Sequence, residues 1–502
     1  MGTYRRTLID QISGFRLGYE GSQDYDLVLR LTEKTDKIFH IPKILYHWRI
    51  HSASTASGAM AKPYAYEAAI RSIKDALQRR GEAGQVIEHS QFPGRFTIRY
   101  EIRQAGLISI IILAKYPSHL KHCLQSIFTR TTYSNYEVIA VTHSGNESEL
   151  FDIFSDWQNQ HPERFRSRLL EGSSNDSSIK NFAATQAKGE YLLFLSESTE
   201  IITSDWLEAM VEQAQRPSVG AVGALLLYPD NSIQHAGVVL GVQGVASHSH
   251  RHFPKGAPGY FGQLVTANNY SAVTGACLMC RRDVFDRAGG FDEQLSIAYN
   301  DVDLCLKMLQ QGYRNVHLPY VELYHYNSEN QEYNDSRAAS LLQQRWQEHI
   351  QSDPCYSSHL TREAEDYGIR INSNTLIEVL TVNYFESSLS DLIWGFSIDS
   401  IQLGASYKNF LLFRGWVLGK WSPVTAIEIV RDRQVIHSIP INNLRPDIKR
   451  LYPDVPKAER SGFMRLVGVA NMPTITQLSL RAALENEARL PLGHLQIRLG
   501  VE

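Results

Sequence analysis

Apolar positions in the middle of the chain come in short dense runs. The densest, Leu107 to Ala114 (LISIIILA), has the length of a strand and predicts one buried on both faces. A helical pattern follows at HLKHCLQSIFTRT, then a strand at YEVIAVT and a polar loop at SGNES. A second helical pattern, SSIKNFAATQAKG, leads into another strand, YLLFLSES. This alternation predicts an α/β fold with a mostly parallel sheet and helices on both faces. Such sheets bind ligands at the carboxyl ends of their strands. Those ends are Leu113–Lys115, Thr142–Gly145 and Ser196–Ser198.

From about residue 385 the pattern shortens to alternating segments such as FLLFRGWVLG, VTAIEIVRDRQVIHSIPI and ITQLSLRAAL. They predict a small all-β region of sandwich type over 385–502, with a hairpin turn near Asp432-Arg433.

The chain also repeats itself. Residues 14–51 (GFRLGYEGSQDYDLVLRLTEKTDKIFHIPKILYHWRIH) and 290–325 (GFDEQLSIAYNDVDLCLKMLQQGYRNVHLPYVELYH) share one ordered skeleton. It runs Gly-Phe, Asp-x-Asp-Leu opening an amphipathic helix, Pro, then Leu-Tyr-His. Roughly two hundred residues of strand and helix signals precede the second copy, and thirteen residues precede the first. Residues 1–90 therefore read as the closing part of one domain, and 100–370 as a whole domain of the same kind. Met1 then reads as an internal methionine of a longer product.

Composition narrows the classes. The 502 residues carry 50 basic and 53 acidic side chains, a net charge of −3, which offers no field for a polyanion and argues against nucleic acid as partner. No apolar run reaches the ~18–20 residues needed to span a bilayer. The opening MGTYRRTLIDQISGF has no apolar signal core. Five cysteines, odd and sparse, fit a reducing compartment, and Cys277 and Cys280 sit in an apolar setting that suits packing.

GEYLLFL at 189–195, VGAVGALLLYPDNSIQHAGVVLG at 219–241, VTGACLMCRRDVFDRAGGFDE at 273–293 and NDVDLCLKMLQQGYRNVHLPYVELYHYNS at 300–328 together resemble inverting glycosyltransferases of family 2, which have the GT-A fold. DPCYSSHLT at 353–361 resembles the closing segment of bacterial members in O-antigen and rhamnan synthesis. GSQDYDLVLR and ILYHWRIH, within 21–51, resemble the last third of the same fold.

The resemblance implies sugar transfer from a nucleotide-sugar donor to a growing glycan or lipid-linked acceptor, with Mg²⁺ or Mn²⁺ at the diphosphate. It places the protein in the cytoplasm, at the inner face of the membrane where the acceptor is lipid-linked. Asp301 then takes the place of the base that deprotonates the acceptor hydroxyl, with Asp24 its counterpart in the first copy. Asp303 reads as structural, favouring the positive end of its helix. His325 resembles the metal or diphosphate ligand after the last strand, and His47 is its counterpart. His248, His250 and His252 alternate in SHSHRH. On a strand they would share one face and could bind metal; the other readings are a substrate or diphosphate contact with Arg251, in an acceptor or lid region that includes Gly275, and a solvated loop.

Three donor-side positions depart from the family pattern. Thr142 stands where an aspartate contacts the nucleotide base. Ser196-Glu197-Ser198 stands where the metal motif belongs, leaving Glu197 and His325 as the candidate ligands. The first strand ends in Leu113-Ala114-Lys115-Tyr116. These departures leave a second reading, a degenerate transferase-like scaffold or glycan-binding partner of an active enzyme. Trp394 and Trp416 in the β region are core or a sugar-stacking platform.

Overall fold

The computed structural model describes residues 2–41, 43, 45, 63–143, 147–170, 175–326, 335–370, 375–385, 391–408, 410–441, 443–469 and 472–501. The chain forms two compact units, Met1–Ala224 with Pro258–Glu322, and Leu225–Ala257 with Leu323–Glu502.

The first unit is built on the alternation expected from the sequence. Its elements are β1 (Ile108–Leu113), α1 (Pro117–Arg130), β2 (Tyr136–His143), α2 (Glu147–Gln160), β3 (Phe165–Leu170), α3 (Asp176–Gln186), β4 (Tyr191–Ser196), β5 (Thr199–Ile201), α4 (Trp206–Ala214), β6 (Val219–Leu227), β7 (Asn268–Tyr270), β8 (Cys277–Arg281), α5 (Arg282–Arg287), α6 (Asn300–Gln310) and β9 (Arg314–His325). Across the sheet the order is β7-β9-β6-β8-β4-β1-β2-β3, with β5 pairing β9. Strands β4, β1, β2 and β3 are parallel neighbours. β8 lies antiparallel between β4 and β6. The apolar run of β1 is buried along its length, as a strand covered on both faces requires. Cys277 and Cys280 are buried in β8, where burial pushes the Cys280 thiol up to about 12. Both pack in the core of the sheet.

Ahead of this sheet, helix Gln23–Thr32 lies against helix Pro63–Arg80, and strands Gly84–Glu88 and Phe96–Tyr100 form a hairpin. Helix Gln23–Thr32 carries the first copy of the repeat, and the two copies agree in a detail. Asp26 is buried and pairs with Arg30 at 2.7 Å, four residues on. Asp303 is buried and pairs with Lys307 at 2.8 Å, also four residues on. In each copy the second aspartate of Asp-x-Asp is an i,i+4 anchor inside its helix.

In the second unit, residues 375–501 form a six-stranded and a three-stranded antiparallel sheet. One core, including Ile377, Phe413, Ile427, Phe463 and Ile497, draws on both sheets, which makes this region a sandwich. The hairpin turn falls at Asp432 and Arg433, both with positive φ (48° and 69°), and Arg431 pairs with Gln434. A two-residue hairpin loop of this type needs positive φ at both central positions.

Candidate active site

The parallel register brings the candidate residues of the first unit to one edge. Leu113 lies level with Val141 and with Ser196. Cys277 lies opposite Leu195, and the Ser196 N–H donates to the Ala276 carbonyl. Thr142, Glu197 and Gly275 therefore emerge together at the carboxyl ends of β1, β2 and β4.

Asp301 joins them from the first turn of α6. Its Oδ2 accepts the Gly275 N–H at 2.6 Å, and its Oδ1 accepts the N–H of Val302 at 2.8 Å. A Cβ on Gly275 would lie 3.2 Å from the Asp301 Cβ, so glycine allows this close approach. The preceding Tyr299 is left-handed (φ 62°), an unusual backbone for a bulky residue, directly before Asn300 and Asp301.

Helix α3 supports the same edge. Asp176 holds the Lys115 ammonium through both carboxylate oxygens at 2.8 Å. One turn on, the Lys180 ammonium is 3.4 Å from Asn300 Oδ1 and 3.6 Å from the Cβ position of Gly275. Asn181 accepts the Phe291 N–H and donates to the Phe291 carbonyl, both at 2.9 Å, fixing the Gly290-Phe291 turn that leads toward α6. Asp176, Lys180 and Asn181 escaped the reading of the sequence, which placed Lys115 only at the end of its strand. The four-residue spacing of Asp176 and Lys180 on a helix was the available signal.

The donor-side positions have local partners. Glu197 is buried, and its carboxylate accepts the N–H groups of Lys115 (2.9 Å) and Tyr116 (3.1 Å). Burial, opposed by these two hydrogen bonds, pushes its carboxyl up to about 7. The Ser198 hydroxyl is 3.0 Å from His119 Nδ1, and the Ser198 N–H donates to Ser196 Oγ. The buried Thr142 hydroxyl has no hydrogen-bond partner among the described residues. Among the described residues no three His, Cys, Asp or Glu side chains converge to hold a metal ion. With Glu197 bound to backbone amides and serine at 198, the residues here do not fit the Mg²⁺ or Mn²⁺ that the resemblance implies.

In the second unit the histidines are joined through Gln234. His325 Nδ1 is 2.6 Å from Gln234 Oε1, and His248 Nδ1 is 3.0 Å from the Gln234 carbonyl. Burial, with help from Arg251, pushes His248 down to about 3, so its ring stays neutral. The shared face expected for His248, His250 and His252 is corrected here. The strand covers Ala246–His248 and stops, and His250 and His252 both turn to positive φ (53° and 64°). His250 stacks on Tyr367 at 4.3 Å and His252 on Tyr228 at 5.2 Å. Arg251 pairs with Glu365 at 3.3 Å. The segment around Glu365 and Tyr367 thus packs over the histidines.

Asp24 is exposed on helix Gln23–Thr32 and accepts only the adjacent Tyr25 N–H among its described hydrogen bonds. His47 lies outside the described residues. Trp394 and Trp416 both approach Tyr452, at 6.2 and 6.0 Å, and Lys420 lies over the Trp394 ring.

Comparison with known proteins bears on these geometries. Residues 106–348 match the family model described as glycosyltransferase-like family 2. Over 381 residues the chain is 38% identical to the uncharacterized protein y4gI of Sinorhizobium fredii, a match covering 73% of this chain and 42% of that protein. Over 378 residues it is 36% identical to the O-antigen biosynthesis protein RfbC of Myxococcus xanthus, covering 73% and 29%. The chain thus spans less than half the length of either relative. Among solved structures, GalNAc-T7 with UDP, GalNAc and Mn²⁺ aligns at TM-score 0.41 and 14% identity, over 49% of this chain and 50% of that one. Residues 106–348 are therefore a glycosyltransferase domain of the family 2-like group, with the α/β fold that membership implies.

Proposed function

We propose that this domain transfers a sugar, with inversion, from a nucleotide-sugar to a hydroxyl of a growing surface glycan of O-antigen type. The observation that carries this reading is the Asp301 carboxylate, held at the ligand-binding edge of the sheet by the Gly275 N–H. Asp301 takes the proton of the acceptor hydroxyl. The freed oxygen bonds to the anomeric carbon while the bond to the diphosphate breaks, and the leaving diphosphate keeps that electron pair. The Lys180 ammonium, beside Gly275, offers positive charge at this edge. No step is routed through a metal ion, because among the described residues no three His, Cys, Asp or Glu side chains converge on a site for one.

The acceptor is a glycan, lipid-linked during assembly, and the work is done in the cytoplasm at the inner face of the membrane. No helix among the described residues is long and apolar enough to cross it. In this reading residues 1–90 are the closing part of a first domain of the same kind, 100–370 the transferase and 385–502 its accessory β region.

A second reading, a scaffold or glycan-binding partner of an active enzyme, is favoured by Glu197 and Ser198, whose groups are engaged with the protein itself. Calorimetric titration with UDP, GDP, dTDP and their sugars separates the two. Binding of one nucleotide, followed by transfer that Asp301→Asn abolishes, supports the enzyme. No binding of any of them supports the scaffold.

A further inference from the structure

The two copies of the repeat bury their shared positions very differently. Phe291 is 2% exposed, and its counterpart Phe15 is 64% exposed. Val316 and Leu318 are 6% and 0% exposed, and their counterparts Phe39 and Ile41 are 85% and 60%. On the helices, Cys305 is buried and Val28, its counterpart, is exposed. Helix Pro63–Arg80 covers the other side of helix Gln23–Thr32, where Leu27 and Leu31 are buried, so the bare side is a second face.

In the second copy these positions are covered by the domain's own sheet and helices. The Phe291 ring meets Phe194 of β4 edge-on at 4.7 Å and lies under Lys180 of α3 at 5.0 Å. Val316 pairs across the sheet with Asn269. The cover is a layer of strands and helices of the same α/β domain. Large apolar side chains exposed in one copy and buried in the other at the same positions mark a contact that the first copy lacks.

We infer that Phe15, Val28, Phe39 and Ile41 are each covered, as their counterparts are, by the strand-and-helix layer of a further α/β domain, carried on the same polypeptide ahead of residue 14. The inference rests on the exposure pattern and the repeat, and it stands or falls independently of whether residues 106–348 transfer sugar. Tandem α/β domains would share this chain, the first closed by residues 14–80 and the second by residues 290–325. The relatives, of which this chain covers 42% and 29%, have length beyond the match for such a domain.

The test uses the protein made by its own cells. An antibody raised against residues 63–80 should detect a polypeptide clearly heavier than the 56.9 kDa of this chain. Hydroxyl-radical footprinting should find Phe15 and Phe39 protected in that polypeptide and reactive in the 502-residue chain. Phe39→Asp should leave the melting temperature of the 502-residue chain unchanged and lower that of the longer one. A native product of 56.9 kDa overturns the inference. So does a longer product in which both phenylalanines stay reactive, or a 502-residue dimer that Phe39→Asp dissolves, since a second copy is then the cover.

Discussion

The backbone N–H of Gly275 donates to Oδ2 of Asp301 at 2.6 Å, across 26 residues of chain. The other oxygen, Oδ1, accepts the N–H of Val302 at 2.8 Å, so both carboxylate oxygens are held in place where the strands end. A methyl group at 275 would press on the Asp301 Cβ at 3.2 Å, with its Oδ2 at an ordinary contact distance of 3.5 Å. Gly275→Ala should therefore lower kcat at least tenfold while costing about 1–2 kcal/mol of stability, because a displaced base is a geometric fault more than a packing one. Steady-state kinetics beside thermal melts will check this. A variant with unchanged kcat would show that the close approach is dispensable.

The two aspartates of Asn-Asp-Val-Asp should separate cleanly. Asp301→Asn should abolish transfer and leave the melting temperature within a degree or two. Asp303→Asn should do the reverse, since Asp303 is fully buried and pairs with Lys307 inside the helix. Weakening that pair should cost about 1–3 kcal/mol, with kcat within a few-fold of normal. Equal losses of turnover in both variants would mean that Asp303 also serves the reaction.

Much of this was legible in the sequence. The run Leu107–Ala114 had to be a buried strand because its apolar residues are contiguous, and the turn at Asp432-Arg433 followed from two flanking alternating segments. The structural part of Asp303 was readable from its place in the helix. Lys180 was not, because its partner Asn300 is 120 residues away and only the sheet brings them together. The histidines misled for a related reason. Alternation predicts a shared face only while a strand lasts, and this one ends at His248. Ser249 and His250 are then packed by Tyr367, over a hundred residues on, which local pattern does not encode.

Glu197 should make stability fall as pH rises from about 4.5 toward 7. Its folded carboxyl titrates near 7, above its ordinary 4.5. Folding thus favours the protonated form, so its contribution is complete below pH 4.5 and is lost as pH rises through 7. The loss is roughly 3 kcal/mol at most. Glu197→Gln removes this titration, so its stability relative to the parent should rise between pH 5 and 8. Urea midpoints at several pH values measure it, and a constant difference across that range would exclude the effect.

His248 acts in the opposite direction. Its folded imidazole titrates near 3, below its ordinary 6.5, and His437 of the same unit titrates near 4, in both cases chiefly through burial. Both must be neutral when folded. Their contribution is complete above pH 6.5 and is lost as pH falls toward 3 to 4. The second unit should therefore loosen in mild acid, and His248→Gln should flatten its stability profile between pH 6.5 and 4. Hydrogen exchange of strand Ala246–His248 reports this directly, and exchange that ignores pH in the parent, after correction for intrinsic rates, would rule it out.

In the β region the first strand, Thr375–Tyr384, pairs with the last, Arg489–Val501, and Thr375 lies opposite Val501. The polypeptide enters and leaves by neighbouring rungs of one ladder. Such a region works as a side pocket sewn onto a garment: it adds a surface without adding reach. A fluorophore or fusion partner attached after residue 501 would report on the seam at 375 and not on the distant tip at Asp432.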